Sequence, residues 1–437
     1  MSTKSTRMKT FARSVSQRAF GQHLARVTAC LILLSLISGC QLVDMAKFSY
    51  VNAQSKHEWT NTIQSTQVPF KLINNHIIVP VSINDSEQLN FVLDSGAGAT
   101  VITESHRSRV LDLKKGNEIS ISGAGAGFES VANIVEDLKI SVGSVNLLGQ
   151  SVINIPLSAM PFFNELEEAY FDGIIGYDFF RRFIVEINYD TMTVIFSEKD
   201  QHEIEIYEAS KNWQQLPLEI SGSMPYLNAS VGLDTKSSIA VKLLVDTGST
   251  GSFSLIPDTH PGLKEPDKYY TRTAQGLTGD IDSHVSSFSF LGLGQFQLEE
   301  VIGSYSMSGE ESENDNHGLL GNQAMNRFNL IFDYQNNRLF LQPNHRFGIP
   351  ISPDKSGLRI MPHARGGIVK GIADGTAAAS LNLNVGDIVT RFDGEAVTEQ
   401  TISQLQRRLA STQNTVRLCW LKNDTEHCEG LELSSRF

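Results

Sequence analysis

From residue 66 to residue 345 the chain is built of short apolar runs rich in Val, Ile, Phe and Tyr, broken by clusters of Gly, Asn, Asp and Ser. Such runs, punctuated by turn formers, predict β-strands joined by tight turns. Only TESHRSRVLDL (103–113) and GYDFFRRF (176–183) suggest brief helices. The expectation over this span is a mainly all-β protein.

The pattern is also written twice. VPFKLINNHIIVPVSINDSEQLNFVLDSGAGATVI (68–102) and LPLEISGSMPYLNASVGLDTKSSIAVKLLVDTGSTGSFSL (216–255) both open on an apolar residue and a proline and run to an apolar pair followed by D-[ST]-G. Downstream, GIIGYDFFRRFIVEINYDTMTVIF (173–196) lies without a gap on GLLGNQAMNRFNLIFDYQNNRLFL (318–341). Gly173, Gly176, Arg182, Phe183 and Tyr189 fall on Gly318, Gly321, Arg327, Phe328 and Tyr334. Each copy predicts one compact β lobe, 66–200 and 201–345, in a duplicated chain.

One D-[ST]-G tripeptide means only a turn, with Asp initiating it and Gly relieving it. Two of them, each ending an apolar strand and each followed by a G-apolar-apolar-G, place Asp94 and Asp246 on equivalent turns of a duplicated fold. Such turns would meet across a pseudo-twofold axis. Two carboxylates about 3 Å apart cannot both ionise, so they share a proton and can divide acid and base roles. One takes a proton from water while the other hydrogen-bonds a carbonyl, with no metal, cofactor or covalent intermediate required.

These segments resemble the retropepsin-like aspartic proteases, whose signature stands here as Val92-Leu93-Asp94-Ser95-Gly96-Ala97 with Ile174-Ile175-Gly176, and again as Leu244-Val245-Asp246-Thr247-Gly248-Ser249 with Leu319-Leu320-Gly321. The resemblance covers roughly residues 66–345. It implies an intramolecular pseudo-dimer with catalytic Asp94 and Asp246, Gly96 and Gly248 turning the loops sharply, and Ser95 and Thr247 hydrogen-bonding across the lobes. It also implies flap hairpins at SISGAGAGFESVAN (120–133), with Gly123, Gly125 and Gly127, and at TAQGLTGDIDSHV (273–285), with Gly276; ordinary glycine turns would read the same. Because Ala97 lacks a donor where Ser249 has a hydroxyl, Asp246 is expected to be the more readily ionised member. The acidic run SGEESENDN (308–316) reads as a solvated loop without calcium-ligand spacing.

The last ninety residues change character. Pro343, Pro350 and Pro353 punctuate a linker (346–354), after which SGLRIMPHARGGIVKGIADGTAAASLNLNVGDIVTRFDGEAV (356–397) resembles a PDZ domain, α+β in class, over 355–437. The resemblance puts Gly357, Leu358, Arg359 and Ile360 in the carboxylate-binding loop and TEQTISQLQRRLAS (398–411) in the groove helix. It implies an extended or C-terminal peptide ligand added to a sheet edge; a groove empty or filled internally is the alternative. The closing VRLCWLKNDTEHCEGLEL (416–433) reads as a hairpin turning at Asn423-Asp424, which makes Cys419 and Cys428 cross-strand partners able to form a disulfide in an oxidising compartment.

Charge and cysteine usage bound the setting. The first 39 residues carry six basic residues and no acids, which leaves −18 on the remainder of a chain whose net charge is −12. So acidic a remainder excludes a nucleic-acid binder, whose phosphates demand basic patches. The basic start, the apolar VTACLILLSLISG and the small residues before Cys40 have the anatomy of a secretion signal. Ile37-Ser38-Gly39-Cys40 resembles a bacterial lipobox, which implies a signal peptide over 1–39, lipidation of Cys40, a polar tether over 40–65, and an outer-membrane lipoprotein facing the periplasm or cell surface. Two functions remain in view: a tethered aspartic endopeptidase acting on peptides or unfolded proteins, and an inactive peptide-binding lipoprotein that keeps the fold.

Overall fold

The computed structural model describes residues 43–121, 123, 125, 130–160, 169–201, 207, 210–234, 237–276, 279–308, 315–411 and 414–436. The chain divides into two units, 1–54 and 55–437. Of the first, the described part is a helix over 43–54. None of the described helices is long and apolar enough to cross a membrane.

The second unit begins inside the stretch read as a tether. Lys56–Trp59 is a strand paired antiparallel with Val145–Ile155. Its His57 and Trp59 rings stand edge-on to Phe183, 5.1 and 5.5 Å between centroids, and the Trp59 indole donates to Glu198 at 2.9 Å. Two aromatic side chains on one face give this polar segment enough to bury, which its average composition conceals.

Each lobe is a single large sheet, nine strands in the first and eight in the second. The local order around the two D-[ST]-G turns is the same. Gly173–Ile175 lies parallel to Leu89–Leu93 and antiparallel to Val101–Thr103; Gly318–Gly321 lies parallel to Ser238–Asp246 and antiparallel to Phe253–Leu255. The repeat in the sequence is thus a repeat in topology.

A third, six-stranded sheet joins the lobes. Ser65–Pro69, Thr193–Ser197 and Ile184–Asn188 come from the first, and Phe328–Asp333, Arg338–Pro343 and Gln214–Pro217 from the second. The seam is the antiparallel pair Val185 to Phe332, Glu186 to Ile331 and Ile187 to Leu330. Above it Phe180 meets Phe332 edge-on at 5.1 Å and stacks on Tyr334 at 5.2 Å. Each of these phenylalanines is fully buried, which stabilises the seam by about 2–3 kcal/mol per side chain. The brief helices shrink to single turns, Ser108–Leu111 and Tyr177–Phe180.

The C-terminal sheet runs in the order Leu358–His363, Gly366–Ile372, Ile388–Phe392, Thr415–Lys422, Thr425–Glu432, with helices Ala377–Ser380 and Ile402–Leu409. Asn423 and Asp424 take φ of 50° and 58°, the left-handed pair that a two-residue hairpin needs. Cys419 and Cys428 face each other 4.1 Å apart at Cα and are disulfide-bonded.

Candidate active site

Strand Leu89–Leu93 delivers Asp94 and strand Ser238–Asp246 delivers Asp246, each beside the following glycine turn. The two carboxyls hydrogen-bond each other. The turns interlock closely: a Cβ on Gly248 would stand 2.3 Å from Asp94 Oδ2, and a Cβ on Gly96 would stand 2.8 Å from Asp246 Cγ. Each glycine is therefore required by the aspartate of the opposite lobe, and any side chain there would drive the carboxyls apart.

The turns are locked below the dyad by reciprocal bonds. Ser95 N donates to Thr247 Oγ1 at 2.9 Å and Thr247 N to Ser95 Oγ at 3.0 Å. Ser95 Oγ in turn donates to the Val245 carbonyl at 2.7 Å and Thr247 Oγ1 to the Leu93 carbonyl at 2.8 Å. Both side chains are completely buried. Gly176 and Gly321 abut the loops that follow the aspartates, against Ala97 and Gly251, and the amides after them close the loops, Tyr177 N on the Ala97 carbonyl and Asn322 N on that of Ser249. Tyr334 adds a hydroxyl donated to the Ser95 carbonyl at 3.3 Å.

The two acids are not equivalent. Burial, then the charge of Asp246 and the hydrogen bond with it, raise Asp94 well above the ordinary carboxylate range against the opposing amides of Gly96 and Gly248. Burial also raises Asp246, but the bond from Asp94 and the amides of Gly248 and Ser249 oppose it; those amides lie 2.8 and 3.0 Å from Oδ1. Both carboxyls thus have amide donors that favour the charged form; the larger upward shift falls on Asp94, which places the shared proton there and the charge on Asp246. The asymmetry was expected from the Ser249 hydroxyl, but the Ser249 contact comes from its backbone amide. Ser249→Ala keeps that amide, so a pH–rate profile of the variant is expected to superimpose on the wild type.

Two residues that sequence reasoning passed over hold the second turn from the first lobe. His76 Nε2 donates to the Gly248 carbonyl at 2.8 Å, and its Nδ1 accepts from the Tyr170 hydroxyl at 2.6 Å. Asn75 Nδ2 donates to the Thr250 carbonyl at 2.9 Å. No local pattern distinguishes a histidine at the start of an apolar strand from any other. Burial, partly offset by the Gly248 bond, lowers the His76 pKa from 6.5 to about 4.

A base whose folded pKa is depressed contributes stability in full above its unfolded pKa and loses it as pH falls through the folded one. The loss between pH 6.5 and 4 amounts to roughly 3 kcal/mol. Between neutral pH and the lower end of this window, urea unfolding of the wild type is expected to lose this much more stability than that of His76→Gln, which does not titrate.

The first glycine-rich hairpin pairs Glu118–Ile121 with Ser130–Val142, the second Tyr270–Gly276 with Gly279–Leu293. Gly125, at φ 131°, lies against Gly279, where an added Cβ would come within 2.3 Å of its nitrogen, so the two hairpins touch. Gly123 lies just past the strand Glu118–Ile121, and Gly276 pairs with Gly279. Gly127, Cys40 and most of the acidic run (309–314) lie outside the described residues.

In the C-terminal domain the loop expected to receive a peptide carboxylate already holds one. Asp354 accepts from the amides of Ser356 and Gly357 at 3.2 and 2.7 Å, and Leu358 N donates to Ser356 Oγ at 2.9 Å. Arg359 points away, donating to the carbonyls of Lys370 at 3.0 Å and Thr273 at 3.4 Å, and Ile360 is buried in the edge strand. The amides of Gly357 and Leu358, at the start of that loop, are thus satisfied by the preceding turn.

Two duplicated β lobes that place one aspartate each at a shared, interlocked turn define an aspartic-dyad architecture. Residues 79–179 match the family model described as aspartyl protease, and residues 338–419 match that of the PDZ domain. The chain therefore carries an aspartyl protease domain and a C-terminal PDZ domain. The first match covers only the first lobe, and the second takes in the strand Arg338–Pro343, which belongs to the sheet shared by the lobes. No curated protein matches the chain.

Proposed function

We propose that this chain is a membrane-tethered aspartic endopeptidase that hydrolyses peptide bonds with Asp94 and Asp246. The observation that supports it most is the reciprocal seating of the turns, Gly248 against Asp94 and Gly96 against Asp246. An inactive binding protein would have no need of two desolvated acids in mutual contact, since each costs stability where it stands.

In this reading ionised Asp246 takes a proton from a bound water, whose oxygen attacks the scissile carbonyl carbon, while protonated Asp94 gives its proton to the carbonyl oxygen. The resulting gem-diol collapses as Asp246 passes its proton to the amide nitrogen and Asp94 takes one from a gem-diol hydroxyl; the C–N bond breaks, acid and amine leave, and the dyad is back in its starting state. Lipidation of Cys40 would hold the enzyme at the outer membrane, facing the periplasm.

The test is to incubate the purified chain with unfolded proteins and read new termini by mass spectrometry over a range of enzyme dilutions. Cleavage at a constant rate per chain is expected, because both half-sites are covalently joined. Peptide retention without cleavage at any pH would favour the inactive binding protein instead. Radiolabelled fatty acid entering the wild type but not Cys40→Ala would establish the anchor.

A further inference from the structure

One hairpin of the first lobe reaches the second catalytic turn and the PDZ domain together. Its strands Lys71–Ile73 and His76–Ile83 are joined by Asn74 and Asn75 at φ 50° and 64°, a two-residue turn of the type that Asn favours. From this tip His76 bonds Gly248 and Asn75 bonds Thr250. The Asn75 carbonyl and Oδ1 accept from Asn322 Nδ2 at 2.6 Å and Asn326 Nδ2 at 3.4 Å, which pins the tip to the helix behind Gly321.

Asn74, whose side chain also neighbours the Tyr170 hydroxyl, reaches the PDZ domain. Its Oδ1 accepts from Gln406 Nε2 at 2.8 Å, and its Nδ2 lies 3.6 Å from Met361 Sδ. Gln406 stands on the helix Ile402–Leu409 and also reaches the Ile360 carbonyl at 3.4 Å. Met361 and Ile360 belong to Leu358–His363, the edge strand of the PDZ sheet. Lys71 adds an ion pair with Glu399 at 3.7 Å. An extended peptide joining this sheet would run along that edge strand, beside the helix. Asn74 already touches both walls, and Asp354 already takes the Gly357 amide at the start of the loop.

We propose that the Asn74–Asn75 tip is the resident occupant of the PDZ groove and that, through Asn75 and His76, it positions the turn carrying Asp246. Resting on the peptidase reading above, this makes the PDZ domain a clamp on the active site, and an extended peptide entering the groove competes with Asn74 and loosens the clamp. The coupling is reciprocal, so a ligand that orders the dyad also tightens the tip in the groove. Asn75 and His76 are positioning residues, since they act through Gly248 and Thr250.

The test uses the full chain with Asn74→Ala, Gln406→Ala and the double variant. Backbone hydrogen exchange over 247–252 is expected to accelerate by about tenfold in each, with exchange in the distant PDZ hairpin 415–432 unchanged. Turnover should fall by about tenfold with KM within about twofold, because alignment and not substrate binding is lost. The double variant should be far from additive, since both substitutions break the shared Gln406–Asn74 bond. His76→Gln, which retains an N–H donor, should keep turnover near wild type, whereas His76→Ala should not.

Unaltered exchange over 247–252 in a folded Asn74→Ala or Gln406→Ala chain, or additive losses in the double variant, would overturn the proposal. The exchange arm needs no catalysis. A chain that cleaves nothing but still shows the accelerated exchange would refute the peptidase reading alone.

Discussion

Asp94→Asn and Asp246→Asn are each expected to lower kcat by at least about 10²- to 10⁴-fold, the range set by loss of a positioned acid or base. Asn is nearly isosteric and keeps an oxygen to accept the Gly96 amide in one turn or the Gly248 and Ser249 amides in the other. The loss therefore belongs to proton transfer and not to folding.

Stability should move the opposite way for Asp94. Its folded pKa is raised, so its favourable contribution is present in full below the ordinary carboxylate value of 3.8 and is lost as pH rises through the raised one. At neutral pH the acid is a burden, and Asp94→Asn is expected to be at least as stable as the wild type in urea. A destabilised Asp94→Asn chain, or one that still turns over near the wild-type rate, would contradict the assignment. Activity held at the expense of stability is the usual signature of a working site.

The second large effect is expected at Thr247. Thr247→Ala removes the acceptor of the Ser95 amide and the donor to the Leu93 carbonyl, and leaves both buried groups without a partner. At about 1–3 kcal/mol for each orphaned group, unfolding stability should drop by about 2–6 kcal/mol. Because the same hydroxyl ties one catalytic turn to the other, the aspartates should also lose alignment, and kcat should fall while KM changes little. Thr247→Ser keeps the hydroxyl and should recover most of both quantities. If Thr247→Ala and Thr247→Ser behave alike, the bonds across the lobes do not hold the site.

These two predictions differ in how far the sequence alone could have led to them. The two aspartate turns are legible because one local device is repeated 152 residues later, with the same downstream glycines. The cysteine hairpin is legible for the same reason, since counting out from Asn423-Asp424 pairs Cys419 with Cys428 without knowledge of anything else. The strand Lys56–Trp59 was concealed because a four-residue edge strand with one apolar face has too little pattern to rise above its polar surroundings. The source of the Asp246 asymmetry was misplaced because a side-chain difference, Ala97 against Ser249, is visible in a sequence, whereas the direction of an amide is not.

What the amino-acid order determined by itself is the repeated local grammar: strand alternation, two glycine turns after aspartate, the duplicated lobes and the PDZ domain. These follow from preferences that act over a few residues and from similarity between segments. Only the tertiary structure decided that His76 holds Gly248 across 172 residues and that Gln406 holds Asn74 across 332. It likewise decided that Asp354 takes the Gly357 amide of the loop expected to receive a peptide carboxylate. Contacts of this kind arise from how finished lobes and domains seat against each other, and they leave no period, spacing or composition in the chain to be read beforehand.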